Sequence, residues 1–121
     1  MEEDALTGKI IGCCFEVHRE LGPGFIEKIY AKALQIQLKR EGLNIEAEKE
    51  FSVYFQQQFV GKFRCDLLIQ DQVIVELKSV TGYLPKIFHT QLLSYLKASK
   101  IKTGLLINFG NSSCEVKRFS V

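Results

Sequence analysis

The stretch Gly61-Lys62-Phe63-Arg64-Cys65-Asp66-Leu67-Leu68-Ile69-Gln70-Asp71-Gln72-Val73-Ile74-Val75-Glu76-Leu77-Lys78 decides how this chain folds. On either side of Asp71 apolar residues recur with a period of two, which marks two strands. Phe63, Cys65, Leu67 and Ile69 share one side of the first run, against Lys62, Arg64 and Asp66; Val73, Val75 and Leu77 share one side of the second, against Ile74, Glu76 and Lys78. Folding the segments 61–70 and 73–80 about Asp71 sets Asp66 opposite Glu76, because both lie five residues from the turn, and keeps Lys78 on the face of Glu76. Two acids across a ladder, with Cβ atoms ~5 Å apart, repel. A fold that keeps them supplies a cation or protonates one of them. The same register sets Arg64 opposite Lys78, a second like-charge pair, so it admits a slip or a bulge.

Working outward, Leu6, Ile10, Ile11, Cys14, Phe15 and Val17 recur at helical spacing from Asp4 or Thr7 to about Glu20, where Leu21-Gly22-Pro23-Gly24 breaks the run. A second periodic stretch runs from about Phe25 through Ile29, Tyr30, Leu34 and Leu38 to Gly42, a natural helix C-terminal residue. The two predict an α-hairpin. Phe51, Val53 and Phe55 predict a strand, and with the runs about Asp71 they predict a three-stranded meander. After the loop Thr81-Gly82-Tyr83-Leu84-Pro85, residues 86–99 predict a helix buried along Ile87, Phe88, Leu92, Leu93 and Leu96. The apolar run 103–109 predicts an interior strand that returns after this crossover, parallel to the Glu76 strand, and 114–119 predicts an edge strand. The expected order is ααβββαββ, an α/β chain read as one domain over 1–121.

The 121 residues carry a net charge of +2 that conceals an asymmetry: residues 1–50 hold 7 basic and 10 acidic side chains (−3), and residues 51–121 hold 9 and 4 (+5). A polyanion is a permitted partner, though this surplus alone does not argue for one. Cys13, Cys14, Cys65 and Cys114 show no C-x-x-C spacing and read as reduced, mostly buried thiols. No charged-then-apolar leader opens the chain and no apolar run approaches the ~20 residues of a membrane helix. The expectation is a cytoplasmic protein with no membrane partner.

The acid pair and its lysine suit one chemistry. Phosphodiester hydrolysis needs a strong nucleophile at neutral pH and neutralisation of the charge on the phosphorus oxygens, and a divalent metal offers both. Mg²⁺, or Mn²⁺ in its place, prefers oxygen ligands and takes one or two protein carboxylates. Asp66 and Glu76 meet that demand, the backbone carbonyl of Leu77 is within reach of the same ion, and Lys78 is placed to orient water. The competing reading is a solvated, salt-bridged cluster.

Asp66 followed by Val73-Ile74-Val75-Glu76-Leu77-Lys78 resembles the hallmark of the PD-(D/E)XK nuclease superfamily, with Cys65 where the name has a proline. Gly24-Phe25-Ile26-Glu27-Lys28-Ile29-Tyr30 resembles the signature of the small prokaryotic GxxExxY family, a likeness covering nearly the whole chain. Gln91-Leu92-Leu93-Ser94-Tyr95 is similar to the Q-x-x-x-Y motif of exonuclease-like branches, and its ends share a helix face. The resemblance implies a restriction-endonuclease-like core, a central mixed β-sheet flanked by helices. It also implies a site of Glu27, Asp66, Glu76, Lys78 and Gln91, with Tyr30 and Tyr95 in support.

Each residue also has an ordinary role. Glu27 suits the exposed amides of a helix start, Tyr30 suits packing with its hydroxyl satisfied, and Gln91 suits a polar boundary. His18 and His89 read as surface or boundary residues. The chain is therefore expected to be a Mg²⁺- or Mn²⁺-dependent nuclease acting on DNA ahead of RNA. The rivals are a non-catalytic module that binds nucleic acid or a partner protein, and metal-dependent chemistry on a small phosphate compound. Duplex cleavage would be easiest for a homodimer.

Overall fold

The computed structural model describes residues 2–121. Two helices, α1 (Glu3–Leu21) and α2 (Glu27–Arg40), precede β1 (Ile45–Ala47), β2 (Glu50–Phe55), β3 (Gln58–Arg64), β4 (Leu67–Ile69) and β5 (Val73–Lys78); α3 (Ile87–Ser99), β6 (Thr103–Asn108) and β7 (Glu115–Ser120) follow. Five strands form one sheet in the order β1-β4-β5-β6-β7, and β2 and β3 pair apart from it. Only β5 and β6 run parallel, joined by the crossover through α3; the other neighbours are antiparallel. This is an α/β fold with a central mixed sheet flanked by helices, consistent with a restriction-endonuclease-like core.

Both faces of the sheet are covered, which explains why β5 and β6 are apolar along almost their whole length. Leu67, Ile69, Val73, Val75, Leu77, Leu105 and Ile107 pack with Leu6, Ile10 and Cys14 of α1 and with Tyr30, Leu34 and Leu38 of α2. Leu68, Ile74 and Leu106 pack with Leu92 and Leu96 of α3. The α1–α2 hairpin turns at Gly22 and Gly24, both at positive φ (69° and 113°), where a side chain would be strained.

Between Asp66 and Glu76 the expected register holds: Leu67 faces Val75 and Ile69 faces Val73, with Gln70 and Asp71 turning the chain at φ 54°. The three-stranded meander does not form. The run expected as one strand over 61–70 breaks at Cys65 and Asp66, and a short strand, β1, which the sequence did not reveal, pairs with its second part. Ile45 opposite Ile69 and Glu50 opposite Arg64 belong to one unbroken register, bridged by Glu48 N to Asp66 O (2.8 Å) and Cys65 N to Lys49 O (3.0 Å). One long hairpin is thus bent at Glu48, whose φ is 54°. Its lower half joins the sheet and its upper half leaves it. Arg64 therefore pairs with Glu50 instead of facing Lys78, which removes the second like-charge contact.

His18 also departs from expectation. It is buried, stacks on Phe109 with ring centroids 6.1 Å apart, and its Nε2 lies 2.9 Å from Asn111 O. The four cysteines are free thiols, three buried and Cys114 partly so. No helix among the described residues is long and apolar enough to cross a membrane.

Candidate active site

Asp66 sits at the bend of the long hairpin, just before β4, and Glu76 sits near the end of β5. Their carboxylates exchange backbone partners: Asp66 N donates to Glu76 Oε2 at 2.6 Å, and Leu77 N donates to Asp66 Oδ2 at 2.7 Å. These are charge-assisted bonds of the stronger kind. Each acid is held by one oxygen, which leaves the other oxygen available to a further partner. Glu76 is only 6% exposed.

Burial dominates the electrostatics here. It pushes the Glu76 carboxyl up to about 8, with the neighbouring Asp66 charge adding to the rise while the Asp66 amide and Lys78 oppose it. Burial also raises Asp66, against the Leu77 amide and Lys78. Glu27 is raised by burial as well, with Lys78 lowering it and Asp66 raising it. Three acids thus share one cation.

That cation is well placed. Lys78 Nζ lies 4.0 Å from Glu27 Oε1 and 4.2 Å from the centre of the Phe88 ring, so it spans from the start of α2 to α3 across the end of the sheet. Glu27 opens α2, where a carboxylate also favours the helix dipole; the helix-start role and the site contact therefore coincide. Tyr30, fully buried, stacks on Phe109 at 4.4 Å. Its hydroxyl donates to Gly22 O and accepts from Phe25 N. Ser79 Oγ donates to Phe25 O at 2.7 Å, tying the same loop to the end of β5. The spacing of Gly24, Glu27 and Tyr30 acquires a physical meaning: a permissive turn, an acid aimed at Lys78 and a ring that locks the turn in place.

On α3, Phe88 carries Lys78, and Tyr95 stacks on Phe63 of β3 at 4.2 Å. Burial, with the charges of Glu76 and Asp66 adding to it, raises the Tyr95 hydroxyl. Gln91 lies half-buried between those two turns of helix and makes no hydrogen bond to either acid among the described residues.

Several positions around the candidate site carried weaker signals. A cleft of about 290 Å³ at the mouth of the site is lined by Glu27, Lys28, Lys32, Glu48, Asp66 and Leu77, among others. Lys28 and Lys32 are i and i+4 beside Glu27, a spacing legible in the sequence; Glu48 arrives only through the bend. The segment after Lys78 is clasped by Asn108, which accepts from Val80 N (2.8 Å) and donates to Val80 O (2.9 Å), and by Asn111, which does the same with Gly82. No signal in the sequence linked these residues. Among the described residues no group of three or more His, Cys, Asp or Glu side chains converges as a ready-made metal cage.

The solved structure "Crystal structure of SSO0001" is similar to this chain with a TM-score of 0.61 and 24% sequence identity, over 77% of this chain and 48% of that one. At that identity the likeness concerns the fold, and this chain spans about half the length of that protein. A search of curated proteins gave no significant match. The family model of the PD-(D/E)XK nuclease superfamily matches residues 4–119, a span that reaches from the first turn of α1 to near the end of β7. The chain belongs to the PD-(D/E)XK nuclease superfamily.

Proposed function

We propose that this chain is a divalent-metal-dependent nuclease that hydrolyses phosphodiester bonds, with DNA preferred over RNA. The observation that supports this is the amide exchange between Asp66 and Glu76, which aligns a half-buried and a buried carboxylate and leaves one oxygen of each for an ion. The donor set fits Mg²⁺ or Mn²⁺: two hard carboxylates, with the Leu77 carbonyl as a third oxygen. Such an ion, when bound, neutralises charge on the phosphate and supplies a nucleophile at neutral pH.

The chain's own residues have distinct tasks in this reading. Lys78, steered by Glu27 and backed by Phe88, orients the attacking water and stabilises charge gathering on the phosphate. Gln91 and Tyr95 complete the wall on the α3 side. Lys28 and Lys32 at the cleft mouth attract neighbouring phosphates. The Gly24, Glu27 and Tyr30 arrangement supports assignment to the GxxExxY group within the superfamily. Cutting both strands of a duplex calls for a symmetric pair of chains, and a monomer by light scattering at working concentration would remove that form of action.

The test is cleavage of single- and double-stranded DNA and RNA with Mg²⁺, with Mn²⁺ and with chelator, beside Glu76→Gln and Lys78→Ala. Metal-dependent cleavage lost in both variants is the expected result. Equal cleavage by the variants overturns the proposal. Salt-dependent DNA binding in chelator with no cleavage in either metal selects a non-catalytic module instead.

A further inference from the structure

The upper half of the bent hairpin, β2 and β3, has two unlike faces. One is packed: Phe51 stacks on Phe63 at 5.2 Å, and Phe63 stacks on Tyr95 of α3. On the other face the alternation along β2 brings up Ser52 and Tyr54, opposite Lys62 and Phe59. Tyr54 and Phe59 meet edge to face at 6.1 Å yet remain 64% and 56% exposed. Phe55 at the tip is 64% exposed as well. A register shift between Val53 and Tyr54, followed by Gln56 and Gln57 at φ 50° and 64°, holds this tip in a tight turn. The rings therefore stand on ordered backbone and are not the ends of a loose loop.

Charge and direction identify what these rings meet. From Phe51 to Cys65 the chain carries Lys62 and Arg64 and no acid. Arg64 is engaged by Glu48 and Glu50 at 3.7 Å each, while Lys62 has no ionic partner among the described residues. Strand β3 leads from Phe59 toward the bend at Asp66, within about 20 Å at the usual rise per residue, a reach of several nucleotides. An aromatic face with an unopposed cation that ends at a phosphodiester site matches a polyanion with exposed ring faces, and a duplex keeps its base faces stacked away.

We propose that the outer face of the β2–β3 hairpin binds a single-stranded stretch of nucleic acid, stacking bases on Tyr54 and Phe59 and meeting a phosphate with Lys62, and so feeds the strand to Asp66. This rests on the nuclease reading for its class of ligand. It goes beyond that reading in assigning a strand-binding element outside the acid pair.

The chain has no tryptophan, so Tyr54→Trp installs a single reporter of stacking. With chelator present, single-stranded oligothymidylate should quench that fluorescence. Tyr54→Ala and Phe59→Ala should each weaken binding of a labelled oligothymidylate roughly five- to a hundredfold, whereas Tyr54→Phe should retain it and Tyr54→Leu should not. An unquenched reporter, or wild-type affinity in the alanine variants, overturns the inference. So does a change of oligomeric state in those variants by light scattering with affinity unaltered, because the face then serves a second copy of the chain. Metal-dependent cleavage without quenching defeats this inference alone. Quenching without cleavage in any metal leaves the hairpin assignment standing and defeats the nuclease reading.

Discussion

Asp66 and Glu76 are bound through each other's strands: the amide of Asp66 holds Glu76, and the amide next to Glu76, that of Leu77, holds Asp66. The exchange forces two like charges together, because neither carboxylate can swing away without leaving a buried amide unpaired. Repulsion is thereby built into the pair, and its relief by a cation or a proton is the property the following experiments probe.

Glu76 gives the metal-free protein a pH-dependent stability. Its folded pKa of about 8 lies above the ordinary 4.5, so between those values the folded state keeps a proton that the unfolded state has lost. Stability falls as pH rises through that window and levels off above it. Thermal melts in chelator should therefore show Tm dropping from pH 5 to pH 8 more steeply in wild type than in Glu76→Gln, which keeps the shape and lacks the charge. Parallel profiles for the two proteins would remove Glu76 from this role.

Ion binding should show the opposite trend. Because carboxylates bind metal deprotonated, Mn²⁺ affinity should rise with pH by roughly tenfold per unit below the Glu76 pKa, with release of a proton. Titration calorimetry in two buffers of different ionisation heat measures both. Asp66→Asn and Glu76→Gln should each abolish the binding; a pH-independent affinity in wild type contradicts this account.

In the proposed mechanism Lys78 acts on the acids as well as on substrate. Lys78→Met should lower cleavage by about a hundredfold or more, and, with their shared cation gone, should move the onset of Mn²⁺ binding to higher pH. A rate loss with no change in that onset would confine Lys78 to the substrate side. Glu27→Gln should leave the onset closer to wild type, since Glu27 is half exposed.

Two glycines near the sheet should differ sharply. A Cβ on Gly110 would lie 2.3 Å from backbone atoms of Val80, whereas one on Gly104 would meet only the side chain of Leu92, at 2.9 Å. Gly110→Ala should cost more than about 2 kcal/mol in urea unfolding because backbone must move. Gly104→Ala should cost less, because the Leu92 side chain turns aside. Equal costs would mean that the clasp around Val80 is loose.

The site was legible in proportion to how local its determinants are. Asp66, Glu76 and Lys78 could be placed because a turn at Asp71 and a period of two set their register within a span of 13 residues. Glu27 was visible as part of a motif and as a helix start, but its approach to Lys78, 51 residues away in the chain, depends on how α2 packs against β5. Tyr30 was expected to be a packing residue with a satisfied hydroxyl, and its stack on Phe109 and its bonds to Gly22 and Phe25 are of that kind.

The amino-acid sequence by itself determined the three helices and the longer strands, that two acids face each other about Asp71, and that a lysine shares their face, because side-chain periodicity and turn chemistry act over a few residues; the short strand β1 it did not reveal. Only the tertiary structure decided that the run from Phe59 to Ile69 bends at Cys65 and Asp66. The apolar alternation passes through that bend unchanged. What breaks the strand is competition for its backbone: β5 and β1 take its lower half and α3 takes the rings of its upper half. A choice of partner between distant segments is made by packing, and no local pattern records it.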